Sequence, residues 1–269
     1  MELLRIKIYQ PQAHYRIPFT YQRRHTYPIP PYSTVIGFLI NSLGIYNQED
    51  DLYKKGIKNL KISIAGRFES KITEYIWFRN LNRKKHNQRF NYAENREMNG
   101  HIEHIGGQSP MSIDVLHDAH LLIYLYHQNS DYLSNIRDEL MCPNNRLEIL
   151  HLGRAEDWVV LECEPDILNI DNFEYKRYDA DYKHFFWIPE RIYTINNYKI
   201  EHQKIDGLLY NIPTFYKIKD YENTFNRHGK RQFQTIKTKL NDGKIKETKL
   251  FIDEELNLPV FLGDFNGSD

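Results

Sequence analysis

A chain of 269 residues can bury roughly 70 to 75% of its unfolded surface without a metal or disulfide staple. Its 36 basic and 36 acidic residues cancel, which excludes a uniformly basic nucleic-acid coat, and its two cysteines, Cys142 and Cys163, exclude a disulfide framework or a cysteine zinc site. Both are expected to be core thiols in a reducing cytoplasm, and with no apolar run of about 18 residues and no apolar leader the chain reads as soluble and cytoplasmic, with no membrane partner.

Residues 3 to 9, LLRIKIY, alternate apolar and basic, the period of a half-buried strand. Residues 14 to 27, HYRIPFTYQRRHTY, then crowd His14, Arg16, Arg23, Arg24 and His25 among Tyr15, Phe19, Tyr21 and Tyr27 with no acid at all. Pro28, Pro30 and Pro31 forbid regular structure. Ser33 stands where an N-cap belongs, and Val35, Ile36, Leu39, Ile40 and Leu43 repeat at helical spacing before Gly44, predicting a helix of about three turns. Gly37 and Asn41 lie one turn apart on its other face, where either a neighbouring backbone approaches closely or the glycine serves helix-on-sheet packing.

Segments 60 to 66 (LKISIAG) and 72 to 78 (ITEYIWF) read as strands, and HLLIYLY, 120 to 126, as a buried one. Between them lies a polar excursion, residues 79 to 110, expected to project from the sheet as a long hairpin or loop. Over its residues 79 to 96, Arg79, Arg83, Lys84, Lys85, Arg89 and Arg96 stand against a single acid, Glu94. SDYLSNIRDEL, 130 to 140, predicts a second helix, and LEILHLG (147 to 153) and DWVVLEC (157 to 163) two more strands. The order β, α, β, β, α, β over residues 1–163 matches an α+β, ferredoxin-like (RRM-like) plan with a projecting thumb. Residues 164–269 form a smaller β-rich C-terminal region, with Asn241, Asp242 and Gly243 as a hairpin turn.

Nucleotide-binding glycine loops are absent, and the pairs His101/His104 and His117/His120 fall in loop or strand, so neither a metal nor a cofactor is expected. Cations beside rings suit single-stranded RNA: Arg and Lys neutralise phosphates, and rings, including Phe90 and Tyr92, stack on splayed bases. The alternative for those rings is the core. Two further classes remain open. Lys85 and His86, with a tyrosine such as Tyr46 or Tyr92, have the groups for metal-independent RNA cleavage, since they can move the 2′-OH proton and stabilise the leaving oxygen; or the chain only contacts other proteins.

The stretches YPIPPYSTVIGFLINSLG (27 to 44) and LHLGRAEDWV (150 to 159) resemble, in order, two signatures of CRISPR-associated protein family 5, in the repeat-associated mysterious protein superfamily, closest to its type I-B branch. The resemblance spans about residues 1–163. It implies a ferredoxin-like subunit of the Cascade effector that caps the 5′ handle of the CRISPR RNA without cutting it. It also implies contacts with the family 7 backbone subunit and the large subunit, with target DNA met only indirectly. Carried over by position, it makes Ser33, Gly37, Gly153 and Arg154 RNA-binding candidates beside His14, Tyr15, Arg16, Arg23, Arg24, His25, Arg79, Arg83, Lys84, Lys85 and Arg89. One branch of the family cuts precursor RNA with Tyr, Lys and His, the trio to which Tyr46, Lys85 and His86 are similar.

Overall fold

The computed structural model describes residues 1–20, 23–80, 97–98, 101–102, 107–195, 200–218 and 231–265. The alternation at residues 3 to 9 opens a longer strand, β1 (Glu2–Ala13), in which Leu4, Ile6 and Ile8 bury on one face while Leu3 and Arg5 bury on the other. Three two-residue strands follow, β2 (Tyr15–Arg16), β3 (Arg23–Arg24) and β4 (Thr26–Tyr27), and then helix α1 (Tyr32–Ser42).

The end of α1 is the predicted one. Gly44 takes a φ of +69°, and the N–H groups of Ile45 and Gly44 donate back to the carbonyls of Ile40 and Asn41, satisfying the last turn. Its start is not: Pro31 is the N-cap and Ser33 already the second helical residue. Tyr32 is fully buried, edge-on to Phe265 at 4.8 Å, and this anchor starts the helix ahead of the serine, beside a proline whose fixed φ suits the entry.

Strands β5 (Lys61–Arg67) and β6 (Ser70–Asn80) agree with the sequence reading, and two short strands, β7 (Glu97–Met98) and β8 (His101–Ile102), pair with each other. The predicted strand at 120 to 126 is only the end of β9 (Gly107–Tyr126), the spine of the sheet. Its residues 116 to 126 pair antiparallel with β1 and 120 to 126 with β5, while 107 to 117 pair with β6. After helix α2 (Asp131–Met141), β10 (Val160–Leu161) and β11 (Asp166–Asn169) pair antiparallel with the free edge of β1. The strand order is therefore β10 and β11, then β1, β9 and β5, with α1 leading from β1 to β5 and α2 from β9 to β10. Both helices cover one face: Val35, Leu39, Leu133 and Ile136 share one buried cluster with Ile6, Ile64 and Ile123.

The remaining strands are β12 (Phe173–Asp181), β13 (Phe185–Pro189), β14 (Leu208–Ile218), β15 (Arg231–Asn241), β16 (Lys244–Asp253) and β17 (Leu258–Pro259). From β5 the large sheet continues through β13, β15 and β14. A second antiparallel sheet, β12–β16–β17, covers the face opposite the helices, where Phe173, Leu250 and Phe251 pack with Leu3, Leu122 and Tyr124.

Several sequence expectations are corrected. Asn241 to Gly243 is a turn but not a hairpin, because β15 and β16 lie in different sheets. The Asn241 amide donates to the carbonyls of Asp206 and Lys244, and its Oδ1 accepts the Gly243 N–H. Gly243 has φ +96°, and a Cβ there would lie 2.0 Å from the Tyr182 carbonyl oxygen. Residues 147 to 153 form no strand beyond an isolated bridge between His151 and Trp158; Leu150 and Leu152 bury as loop residues instead. Cys142 and Cys163 are exposed, since one ends α2 and the other follows β10. Among the described residues no helix is long and apolar enough to cross a membrane.

Candidate nucleic-acid interface

Pairing of β2 with β4 closes residues 17 to 25 into a loop, and the Ile17 N–H donates to the His25 carbonyl at 2.9 Å. Within this loop β3 lies parallel to β9, Arg23 opposite Ser112 and Arg24 opposite Ile113. Successive strand residues point to opposite faces. Arg24 thus turns with Ile113 toward a cleft of about 490 Å³, and Arg23 turns with His25 to the far side, toward Asp114.

His14, Tyr15, Arg16, Arg24, Ser33, Gly153 and Arg154 all line that cleft, although they come from three separate stretches of chain. Its far wall is Asn211, Pro213, Phe233 and Thr235 of β14 and β15. Phe19, 96% exposed, projects at its mouth beside the exposed Arg16. Tyr15 and Tyr27 are core rings: Tyr15 donates its hydroxyl to Gln10 at 2.6 Å, and Tyr27 packs edge-on against Trp187. Neither offers a stacking face. Gly37 lines an adjoining slot. Tyr46 is exposed and lines neither space. Arg79 belongs to β6, where its backbone pairs with Gln108. The positions of Arg83, Lys84, Lys85, His86, Arg89 and Arg96, with Tyr21, Phe90 and Tyr92, lie outside the described residues.

Two buried carboxylates organise the cleft, and sequence reasoning passed over both. Asp157, fully buried, accepts the backbone N–H groups of His14 (3.0 Å) and Arg154 (2.8 Å) and takes the Arg154 guanidinium through Nη2 at 2.7 Å and Nε at 3.0 Å. Arg154 is therefore a held wall, its charge further compensated by Glu156 and Glu74. Gly153, with φ +108°, is the residue that this junction tolerates, because a Cβ would sit 2.7 Å from the His14 carbonyl and 2.8 Å from Asp157. The available signal was Asp157 three residues after Arg154, an i,i+3 partner.

On the other face Asp114, 1% exposed, accepts hydrogen bonds from His25 (2.8 Å) and Thr73 (2.9 Å). Burial works to raise its pKa, but those two bonds and the nearby Lys71 more than offset it and hold the carboxyl below the usual range. It stays charged at neutral pH.

His14 donates Nδ1–H to the Asp114 carbonyl at 2.7 Å, while its Nε2 is buried without a hydrogen-bond partner among the described residues. Burial pushes its pKa below the ordinary value, the bond to Asp114 opposes the shift, and Arg154 adds to it. Unfolding releases the ring to bind a proton, so stability present at pH 7 is lost as pH falls through about 6.5 toward the depressed folded value. His14→Gln should lose less stability than the parent between about pH 7 and pH 5.5, measured as urea midpoints; only part of the slope disappears, because burial depresses His184 as well. Equal losses in the two proteins would refute the assignment.

A family model described as "CRISPR-associated protein (Cas_Cas5)" matches residues 3–239. The chain belongs to this family. No curated protein matches it. Among solved structures, one chain described as "CRISPR RNA-guided surveillance complex" is similar at a TM-score of 0.54 and 14% identity, covering 91% of each chain. Others are a "Cas protein" crystal structure (TM-score 0.46, 13% identity, 91% of this chain and 98% of that one) and a CRISPR protein from Archaeoglobus fulgidus (0.35, 11%, 98% and 93%). At such identity the first likeness is one of fold; the family match itself runs past the signatures at 27 to 44 and 150 to 159 into the C-terminal strands.

Proposed function

We propose that the chain is a non-catalytic, cytoplasmic subunit of a type I, specifically I-B, CRISPR effector, and that it holds the 5′ handle of the CRISPR RNA beside the backbone and large subunits. Membership of the Cas5 family supports the setting. The observation that carries the RNA reading is the cleft itself, where Arg16, Arg24 and the N-terminal turn of α1 converge under the exposed Phe19 ring. Cations take phosphates, the first N–H groups of α1 have no intrahelical acceptor, and a ring beside them takes an unpaired base. In this reading residues 1–163 form a ferredoxin-like unit, as the antiparallel order β10–β1–β9–β5 with both helices on one face supports, and residues 164–269 add β11 to the β1 edge and lend the far wall.

Incubating the purified chain with labelled repeat RNA in EDTA tests the proposal. The expected result is a retarded RNA of unchanged length. Unaided cleavage would replace the proposal with the nuclease reading through Tyr46, Lys85 and His86, and no retardation would leave only contacts with other subunits.

A further inference from the structure

Gly37 lies inside α1, where glycine is less favourable than alanine. Among the described residues nothing asks for it: its φ is not positive, it is exposed, and a Cβ built on it would meet no atom within 4 Å. Helix-on-sheet packing therefore does not explain the residue. The space beside it is a slot of about 360 Å³, inside the roughly 300–1,000 Å³ range of small-molecule sites.

The slot is walled by Ile36 and Ile40 on α1 and by Phe215, Tyr216 and Phe233 on β14 and β15. The rings of Tyr216 and Phe233 are 5.7 Å apart, and Phe233 is 45% exposed. Ser33 and Phe233 also line the cationic cleft, so the two spaces adjoin. At the other end Asn41 clamps the returning chain: its Oδ1 accepts the Glu148 N–H at 2.8 Å and its carbonyl the Leu147 N–H at 3.1 Å. Glu148 is thereby held at the rim, and its carboxylate makes no hydrogen bond or ion pair among the described residues.

An apolar, ring-walled slot with a carboxylate at its rim repels phosphate and suits a flat ring that carries donors on its edge. We infer that this slot is a nucleobase subsite, which takes one unstacked base of the RNA held in the adjoining cleft. The base stacks on Phe233, the bare backbone at Gly37 makes room for its ring, and Glu148 accepts its edge donors. Guanine fits best, because N1–H and N2–H lie side by side as a bidentate pair for a carboxylate. Uracil fits worst, its single N3–H lying between two carbonyl oxygens. The inference rests on the RNA-holding reading above.

The test uses the full chain and its repeat RNA carrying one abasic nucleotide at each successive position of the 5′ segment, with affinity read by fluorescence anisotropy. In the parent, one position should weaken binding by about tenfold, the scale of one lost base stack. The same abasic substitution should cost Gly37→Leu and Phe233→Ala almost nothing. Guanine at that position should outbind uracil by about tenfold, a difference that shrinks in Glu148→Gln. Gly37→Leu should melt no lower than the parent, because it removes a helix-interior glycine. Its salt slope should be unchanged, because it touches no phosphate contact. A flat abasic series with a normal salt slope, or a sensitive position that stays sensitive in both slot variants, overturns the subsite and leaves the RNA-holding reading standing. Loss of all RNA binding by the parent overturns both.

Discussion

Replacing Arg5 by methionine is expected to lower the unfolding free energy by about 3–5 kcal/mol, the range for stranding one partner of a buried ion pair, read as a lower urea midpoint. Arg5 is 2% exposed and Asp253 1% exposed, and they meet at 2.9 Å between the two sheets. The same guanidinium reaches Asp166 at 2.9 Å and Glu255 at 2.6 Å, while the Tyr124 hydroxyl donates to Asp253 at 2.6 Å. Burial works against the charge on Arg5, and the bonds to its three carboxylates more than offset it, so its pKa is raised. One fork thus ties β1 and β11 of the large sheet to β16 of the small one. Without it Asp253 keeps the Tyr124 hydroxyl and the N–H groups of Glu255 and Leu256 but has no countercharge. Arg5→Lys should recover little, since an ammonium lacks the planar fork. The double variant Arg5→Met/Asp253→Leu should recover much of the loss, because two apolar side chains leave no buried charge behind, Asp166 and Glu255 being open to solvent. If the double variant is as unstable as the sum of the singles, the pair is not coupled and the argument fails.

That network also shows where sequence reasoning reaches its limit. Leu4, Ile6 and Ile8 announce β1 by period alone, and Gly44 announces the end of α1, because both signals are local and the backbone answers to them locally. Arg5 and Asp253 are 248 positions apart, and nothing in LLRIKIY distinguishes Arg5, which is buried, from Lys7, which is only partly so. The same holds for the cleft. The acid-free stretch and the two family signatures brought His14, Arg16, Arg24, Ser33 and Arg154 forward, and they do meet. Which of the tyrosines would be walls and which would be platforms was not legible, because Tyr15 and Tyr27 are buried by β2–β4 pairing and by Trp187, a residue far along the chain. Asn241 to Gly243 misled for the opposite reason: its turn chemistry is genuine, but whether a turn joins paired strands depends on which sheets those strands enter.

Arg16→Ala and Arg24→Ala should each flatten the log–log salt dependence of RNA binding by about 0.7, the value of one lost phosphate contact on a single strand, whereas Arg23→Ala should change it little. The three residues are equivalent in sequence; the ladder separates them. Arg24 faces the cleft beside Ile113, and Arg16 is exposed on its rim. Arg23 points away, 3.9 Å from Asp114, a carboxylate held in its charged form by His25 and Thr73. That partner persists across the neutral range, so buffer pH does not convert Arg23 into a cleft residue. Its own exposure makes the pair worth little to stability, so Arg23→Ala should fold normally and serve as the internal control. An Arg23→Ala slope as flat as that of Arg24→Ala would mean that RNA runs along the Asp114 face instead. It would pass the exposed Tyr75 and Trp77, which share the odd-numbered side of β6 with Thr73. The salt slopes of three single substitutions therefore decide which face of the β3–β9–β6 ladder carries the phosphate chain.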